Sequence, residues 1–335
     1  MQNLDIVIAW VDGNDVELKR KRHLYLTGND ASDAVSETRF ASNDEIYYNI
    51  ASILKYVPFC RHILIVTDGQ QPEFLNEFVV QGLCDTNKIR VVDHREIFAG
   101  FEQFLPTFNT RSIESMLWNI QGLSDYFIYL NDDFFFNASA QVEDFLEQDK
   151  IVTYGHWKSC FSYKTKLKYR QFLNRNFNKP IQPGHVIAQM LGADILGFKE
   201  FFEIHHYPHC VDRKILSEYL LNHPTLLETQ IKYKFRSVEQ LNPISLMNHL
   251  KIQKGEAVLK PDLALAYLKN AESLNVFIQA LNQDQIKYGC IQSLDQLTPQ
   301  DAVQVKNAMI AKFSDYLPQS VISNDVLSLE VFHES

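Results

Sequence analysis

Phe127-Ile-Tyr-Leu-Asn-Asp-Asp133 is an apolar run that stops on two adjacent carboxylates. Phe127 to Leu130 predict a strand covered on both faces, and Asn131, Asp132 and Asp133 stand where the chain leaves the sheet. Hard oxygen ligands at a strand exit suit Mg2+ or Mn2+ holding a diphosphate. The plain alternative for such a tripeptide is an Asx turn or a helix cap.

Three other apolar runs end in the same way. Leu4 to Val11 passes into Asp12-Gly13-Asn14-Asp15, His62 to Thr67 into Asp68-Gly69-Gln70, and Ile89 to Val92 into Asp93-His94-Arg95. Between the first two, Ser42 and Glu45 read as a capping box. Ile46, Ile50, Ile53 and Leu54 follow at helical spacing until Pro58. Thr110 to Leu123 reads as a further helix with Ile113, Leu117 and Ile120 on one face. Strands alternating with helices predict an α/β fold, a mostly parallel Rossmann-like sheet flanked by helices. Ligands of such sheets bind beyond the carboxyl ends of the strands, so the four polar exits are expected to line one crevice. Asp12, Gly13 and Asp68 are expected at its nucleotide end. Glycine there permits close backbone approach, and the carboxylates accept hydrogen bonds from base or ribose.

The 335 residues carry a net charge of -9, which argues against a nucleic-acid partner, since binding phosphates needs a basic face. The five cysteines are widely spaced without a C-x-x-C pair, as in the reduced thiols of a cytoplasmic protein. Asp5 interrupts the apolar stretch near the start, so no signal h-region is expected.

Between Lys150 and Asp194 no acidic residue occurs, while Lys158, Lys164, Lys166, Lys168, Arg170, Arg175 and Lys179 interleave with Trp157, Phe161, Tyr163, Tyr169, Phe172 and Phe177. This basic aromatic insertion, 150–193, would hold a phosphorylated or lipid-linked acceptor or rest on an anionic membrane; the bland reading is a solvated amphipathic helix. It divides a single catalytic domain into an α/β core, 1–149, and a later part, 194–335, ending in helices. There Thr298 caps, Pro299 starts the helix, and Val305, Met309 and Phe313 form a core stripe. His205 and His209 have zinc-like i, i+4 spacing, but Pro208 between them disfavours the helix that this needs.

Several blocks of the chain, in order, resemble the Stealth proteins. They are Asp5-Ile-Val-Ile-Ala-Trp-Val-Asp-Gly-Asn-Asp15, Arg39-Phe40, Arg61-His-Ile-Leu-Ile-Val-Thr-Asp-Gly-Gln70, Leu105-Pro-Thr-Phe108, Ile113-Glu-Ser115, Tyr129-Leu-Asn-Asp-Asp133, Pro208-His-Cys-Val-Asp-Arg213 and Phe235-Arg-Ser237. That family includes bacterial capsule and cell-wall polysaccharide hexose-1-phosphate transferases and the catalytic subunit of the lysosomal-enzyme N-acetylglucosamine-1-phosphotransferase. The resemblance implies a GT-A-like fold and a soluble or peripherally membrane-bound enzyme of the cytoplasm. It implies transfer of a sugar 1-phosphate from a nucleotide-sugar donor, UDP-linked by expectation, to an oligosaccharide or lipid-linked glycan. It places Glu114, Asp133, His209 and Arg236 in or near the catalytic centre.

Such a reaction has nucleoside monophosphate as leaving group and demands charge stabilisation at phosphorus. Asp132 and Asp133 would carry the Mg2+ or Mn2+, Arg39 and Arg236 are suited to phosphate oxygens, and either Glu114 or His209 would take the acceptor proton. Two alternatives remain at this stage: a metal-dependent glycosyltransferase releasing nucleoside diphosphate, and a non-catalytic protein of glycan assembly.

Overall fold

The computed structural model describes residues 3–26 and 42–323 apart from 178, 180, 183 and 293. Its centre is a five-stranded sheet. Strands β1 (Leu4–Ala9), β2 (Cys60–Thr67), β3 (Ile89–Asp93) and β4 (Tyr126–Asn131) are parallel, in the order β4-β1-β2-β3. Ile6 lies beside Ile63 on one side and Ile128 on the other, and Ile8 beside Ile65 and Leu130. These residues are wholly buried or nearly so, which explains why the runs are continuous rather than alternating. Burial of each such side chain is worth about 1.5–3 kcal/mol. Because the four strands run the same way, their polar exits emerge along one edge of the sheet.

The expected helix after Ser42 is present as α2 (Glu45–Tyr56), following the short α1 (Val16–His23), but its capping box does not form. Trp10 Nε1 donates to Ser42 Oγ at 3.3 Å, which occupies the would-be cap. Asp44 starts the helix instead, at φ 72°, and the Glu45 carboxylate turns back to accept from the Asn43 N–H.

The helix expected over Thr110 to Leu123 also needs correction. Only α3 (Thr110–Glu114) is α-helical, and a separate 3-10 turn covers Leu117–Asn119. Trp118 Nε1 donates to the Ser115 carbonyl at 2.7 Å, taking the acceptor that a continuing helix would offer to the N–H of Asn119. That N–H bonds to Met116 instead.

Beyond β4 the chain turns through Asp132 and Asp133 into β5 (Phe134–Phe136). Strands β6 (Leu146–Glu147), β7 (Lys150–Tyr154) and β8 (His156–Ser159) lead to α4 (Cys160–Phe177) and α5 (His185–Asp194). Cys160 and Leu167 of α4 pack with Ile187, Met190 and Ala193 of α5, while Phe161, Tyr169, Phe172 and Phe177 stay exposed. After β9 (Glu200–Glu203), β10 (His209–Asp212) joins the central sheet antiparallel to β4, with His209 opposite Tyr129.

The remainder comprises α6 (Arg213–Asn222), α7 (Pro224–Ile231), α8 (Pro243–Gln253), β11 (Ala257–Lys260), β12 (Leu265–Leu268), α9 (Leu274–Leu281), β13 (Tyr288–Ile291) and α10 (Pro299–Phe313). Thr298 caps α10, Pro299 starts it, and Val305, Met309 and Phe313 are buried, as the sequence leads one to expect. Strand β13 pairs with β5 so that Cys290 lies opposite Phe134, which puts its thiol beside the acidic exit of β4.

Candidate active site

At the exits of β1 and β2 the loops lock together: the Asp12 N–H donates to Gln70 Oε1 at 3.1 Å and Gln70 Nε2 donates back to the Asp12 carbonyl at 3.0 Å. Asp12 Oδ1 accepts from the Asn14 N–H, and Gly13 is buried in the same turn. Asp68 pairs with Lys21 of α1 at 3.1 Å. Near Asp68, burial pushes buried His94 down to about 4, which keeps its ring neutral. Asp12, Gly13 and Asp68 therefore share one edge, whereas Arg39 lies outside the described residues.

The exit of β4 is held from below by Asn49, a wholly buried polar residue of α2 whose Nδ2 donates to the Asn131 carbonyl at 2.9 Å. It was not singled out from sequence. Its signal was there, since it sits three residues after Ile46 on the otherwise apolar buried face. The Ile291 N–H fixes the Asp133 carbonyl at 2.8 Å, and Cys290 Sγ donates to Asp133 Oδ2 at 3.3 Å.

The other carboxylate oxygen, Asp133 Oδ1, is buried without a hydrogen-bond partner. Burial, then the charges of Asp133 and Glu45, drive Asp132 well above the usual carboxylate range. Burial likewise brings Asp133 to about 6, against the opposing pull of Cys290 and Arg236, and Glu45 to about 7. Three carboxyl groups are thus crowded at one strand exit with an acceptor lone pair unused. This hard-oxygen donor set fits Mg2+ or Mn2+, ions that complete their shells with water and diphosphate oxygens.

Next to it, Tyr129 Oη lies 3.1 Å from Glu114 Oε1 and 2.8 Å from Asn131 Oδ1. Glu114 is buried at the end of α3, and its other oxygen has no hydrogen-bond partner. Desolvation raises its pKa, opposed by the charge of Arg236, the hydrogen bond from Tyr129 and the charge of Arg111. Arg236 donates to Thr110 Oγ1 at 3.0 Å, and its charge reaches both Glu114 and Asp133.

His209 is the cross-strand neighbour of Tyr129, in a strand rather than the loop suggested by Pro208. Burial takes its pKa down to about 3, so its ring is neutral and a weak base. Glu114, His209 and Arg236 therefore neighbour Tyr129, and Asp133 feels the charge of the same Arg236. Sequence reasoning did not find Tyr129, Cys290, Arg111 or His185, because Tyr129 meets Glu114, Cys290 meets Asp133, Arg111 meets the Ser237 carbonyl and His185 meets His206 only in the fold.

His185, at the start of α5, keeps solvent access, yet surrounding protein and the charges of His206, Arg111, Arg236 and His209 drive its pKa far below normal. His206 stacks on His185 at 5.9 Å and on Tyr267 at 5.7 Å.

A mostly parallel α/β sheet whose carboxyl edge sets acidic groups beside a guanidinium offers the crevice in which open α/β folds bind their ligands. The chain belongs to the Stealth family: residues 39–154 match the Stealth protein conserved region 2. An exopolysaccharide phosphotransferase of Streptomyces coelicolor is 32% identical over 266 residues, covering 79% of this chain and 42% of that protein. A capsular polysaccharide phosphotransferase of Actinobacillus pleuropneumoniae is 38% identical over 154 residues, 45% of this chain and 40% of the relative. The matched stretch spans less than half the length of either relative. Among solved structures, mouse xyloside xylosyltransferase 1 aligns at a TM-score of 0.41 and 10% identity over 86% of this chain and 97% of that one. The galactosyltransferase LgtC, solved with donor and acceptor sugar analogues, aligns at 0.40 and 13% identity over 86% of both chains. Scores of that size amount to a loose architectural likeness.

Proposed function

We propose that this protein transfers a sugar 1-phosphate from a nucleotide-diphosphate sugar, such as a UDP-sugar, to a hydroxyl of a growing surface polysaccharide. The acceptor oxygen attacks the phosphorus that bears the sugar, a phosphodiester forms, and the bond to the nucleoside monophosphate breaks. Glu114 takes the acceptor proton. Arg236, between Glu114 and Asp133, balances charge on the phosphoryl oxygens. Asp132 and Asp133 hold Mg2+ or Mn2+, which when bound supplies a positive charge to the diphosphate. Neutral His209 orients the acceptor or donates a hydrogen bond to it. Asp12, Gly13 and Asp68 line the nucleotide end, with Arg39 as a further phosphate contact.

The observation that carries this reading is the buried Glu114 carboxyl, with a raised pKa, within reach of the same Arg236 charge that acts on Asp133. A general base needs a pKa near the working pH, and burial moves Glu114 upward in that direction while it takes His209 down to about 3.

We place the activity in the cytoplasm, where nucleotide sugars are made. All five cysteines are free, and no helix among the described residues is long and apolar enough to cross a membrane. The exposed basic aromatic face of α4 is assigned to a lipid-linked acceptor at the membrane surface. The deciding experiment incubates the protein with a panel of nucleotide sugars, Mg2+ and an oligosaccharide acceptor. Nucleoside monophosphate and a phosphodiester-linked product are expected. Release of nucleoside diphosphate with a plain glycosidic product would overturn the reading.

A further inference from the structure

Away from the acidic strand exit, three backbone segments bring a second set of ligand-type groups together. His156 opens β8 directly across from Glu203, the last residue of β9; His205 follows two residues later, and Asp262 lies in the segment after β11. His156 Nδ1 is 2.6 Å from Asp262 Oδ2, and His205 Nε2 is 3.3 Å from Asp262 Oδ1. The two imidazole rings lie 5.6 Å apart at 32°. Among the described residues this is the one trio of histidine, cysteine or acidic side chains whose ligand atoms all lie within 4.8 Å of one another.

We propose that His156, His205 and Asp262 bind a borderline divalent transition ion, Zn2+ foremost, through His156 Nδ1, His205 Nε2 and an Asp262 oxygen. Two neutral imidazoles and one carboxylate suit Zn2+ and leave its fourth position to water, whereas Mg2+ and Ca2+ call for oxygen ligands.

The surroundings support this assignment independently of the trio. Glu203 is buried, and its Oε2 lies 3.2 Å from His156 Nε2 and near Lys158 without forming a hydrogen bond to either. A small turn of the His156 ring would set this carboxylate on its far nitrogen, the arrangement that fixes the tautomer and aims the near nitrogen at a metal. Gly155 makes that approach feasible, because a Cβ there would fall 1.9 Å from the Glu203 carbonyl oxygen. The site ties β8, the segment after β9 and the segment after β11 together. It also adjoins the candidate active site, since the His205 main chain lies against the His209 ring.

The test strips the whole protein with a chelator and titrates it with Zn2+ in a large excess of Mg2+, following heat and, after desalting, metal content by mass spectrometry. One equivalent that survives desalting is expected. Glu203→Gln should weaken it about 10- to 100-fold, as loss of an outer carboxylate does. Asp262→Asn should weaken it at least as much, and because Asp262 is exposed this variant keeps the fold. The double variant His205→Gln/Asp262→Asn should take up none. Absence of uptake in the wild type, uptake indifferent to the double variant, or uptake lost in Asp133→Asn but kept in Asp262→Asn would each overturn the proposal.

Discussion

Tyr129 lies 3.1 Å from Glu114 through its hydroxyl, and the same oxygen sits 2.8 Å from Asn131 Oδ1. One phenolic proton does not serve two acceptors. Either Glu114 carries the second proton, or the Asn131 amide turns its NH2 toward the phenol. Raised pKa values on Glu114 and Tyr129 agree with a shared proton here, since burial disfavours both anions. The pair is thus a place where a proton is easily parked.

Replacing that carboxyl by an amide separates chemistry from structure. Glu114→Gln keeps the shape and a hydrogen bond to Tyr129 while removing the base. Monophosphate release should fall about 10²- to 10⁴-fold, with Tm unchanged or higher because a buried acid has gone. Release rates beside a thermal melt check both halves.

The acid limb of the rate profile should belong to Glu114. Its base form is the active one, so activity rises with pH through a value above the ordinary 4.5 of glutamate. His209 should contribute no limb at the ordinary histidine value of 6.5, because its ring is held at about 3. Arg236 lowers the pKa of Glu114, so Arg236→Gln should move the limb to higher pH as well as slow the reaction. A limb near 6.5 that persists in Glu114→Gln would assign the proton transfer elsewhere.

Removing divalent cations should abolish turnover and lower Tm, since the charges of Asp132, Asp133 and Glu45 then oppose one another without a counter-charge. Asp133→Asn relieves that repulsion. It should melt higher than wild type in EDTA and gain little from Mg2+, a crossover visible in two melts.

His249 sets a limit on acid stability. It is wholly buried, its Nδ1–H donates to the Ser245 carbonyl at 2.7 Å, and its Nε2 accepts from the Phe202 N–H at 3.0 Å. That acceptor role requires a neutral ring, and burial lowers its pKa from 6.5 to about 4. The contribution is intact above 6.5 and is lost as pH falls toward 4. Between pH 7 and 5 the loss is about 2 kcal/mol by linkage. Urea melts across that range should show the slope, reduced in His249→Gln.

Gly289→Ala should disturb the acidic site from behind. A Cβ at 289 would lie 2.1 Å from Phe135 Cζ, and that ring is packed edge-on by Phe277 and Phe313. Overpacking of this kind costs about 1–3 kcal/mol. The shift reaches Cys290 and its contact with Asp133, so cation affinity should fall together with Tm.

The four parallel strands and their acidic exits were legible because burial on both faces leaves uninterrupted apolar runs, and Asp132 and Asp133 follow one directly. The break after Glu114 was not, since it depends on Trp118 Nε1 finding one carbonyl. Nor was the failed capping box at Ser42, which Trp10 engages from just beyond β1. Glu114 and His209 were reached through ordered motif blocks, but their protonation states came only from burial. The partners of His205 were hidden because His156 and Asp262 lie far off in sequence.

Strand β10 is the rim of the sheet, gripped by β4 alone, and it is four residues long. Its far end is riveted by Asp212, which pairs at 2.8 Å with the buried Lys251, and by Arg213, whose guanidinium takes the Trp118 and Leu123 carbonyls. A slip of one residue would swing the His209 ring to the opposite face, since side chains alternate along a strand. Lys251 thus works as an alignment pin, and the phasing of the rim is decided at the end of β10 remote from the acidic exit.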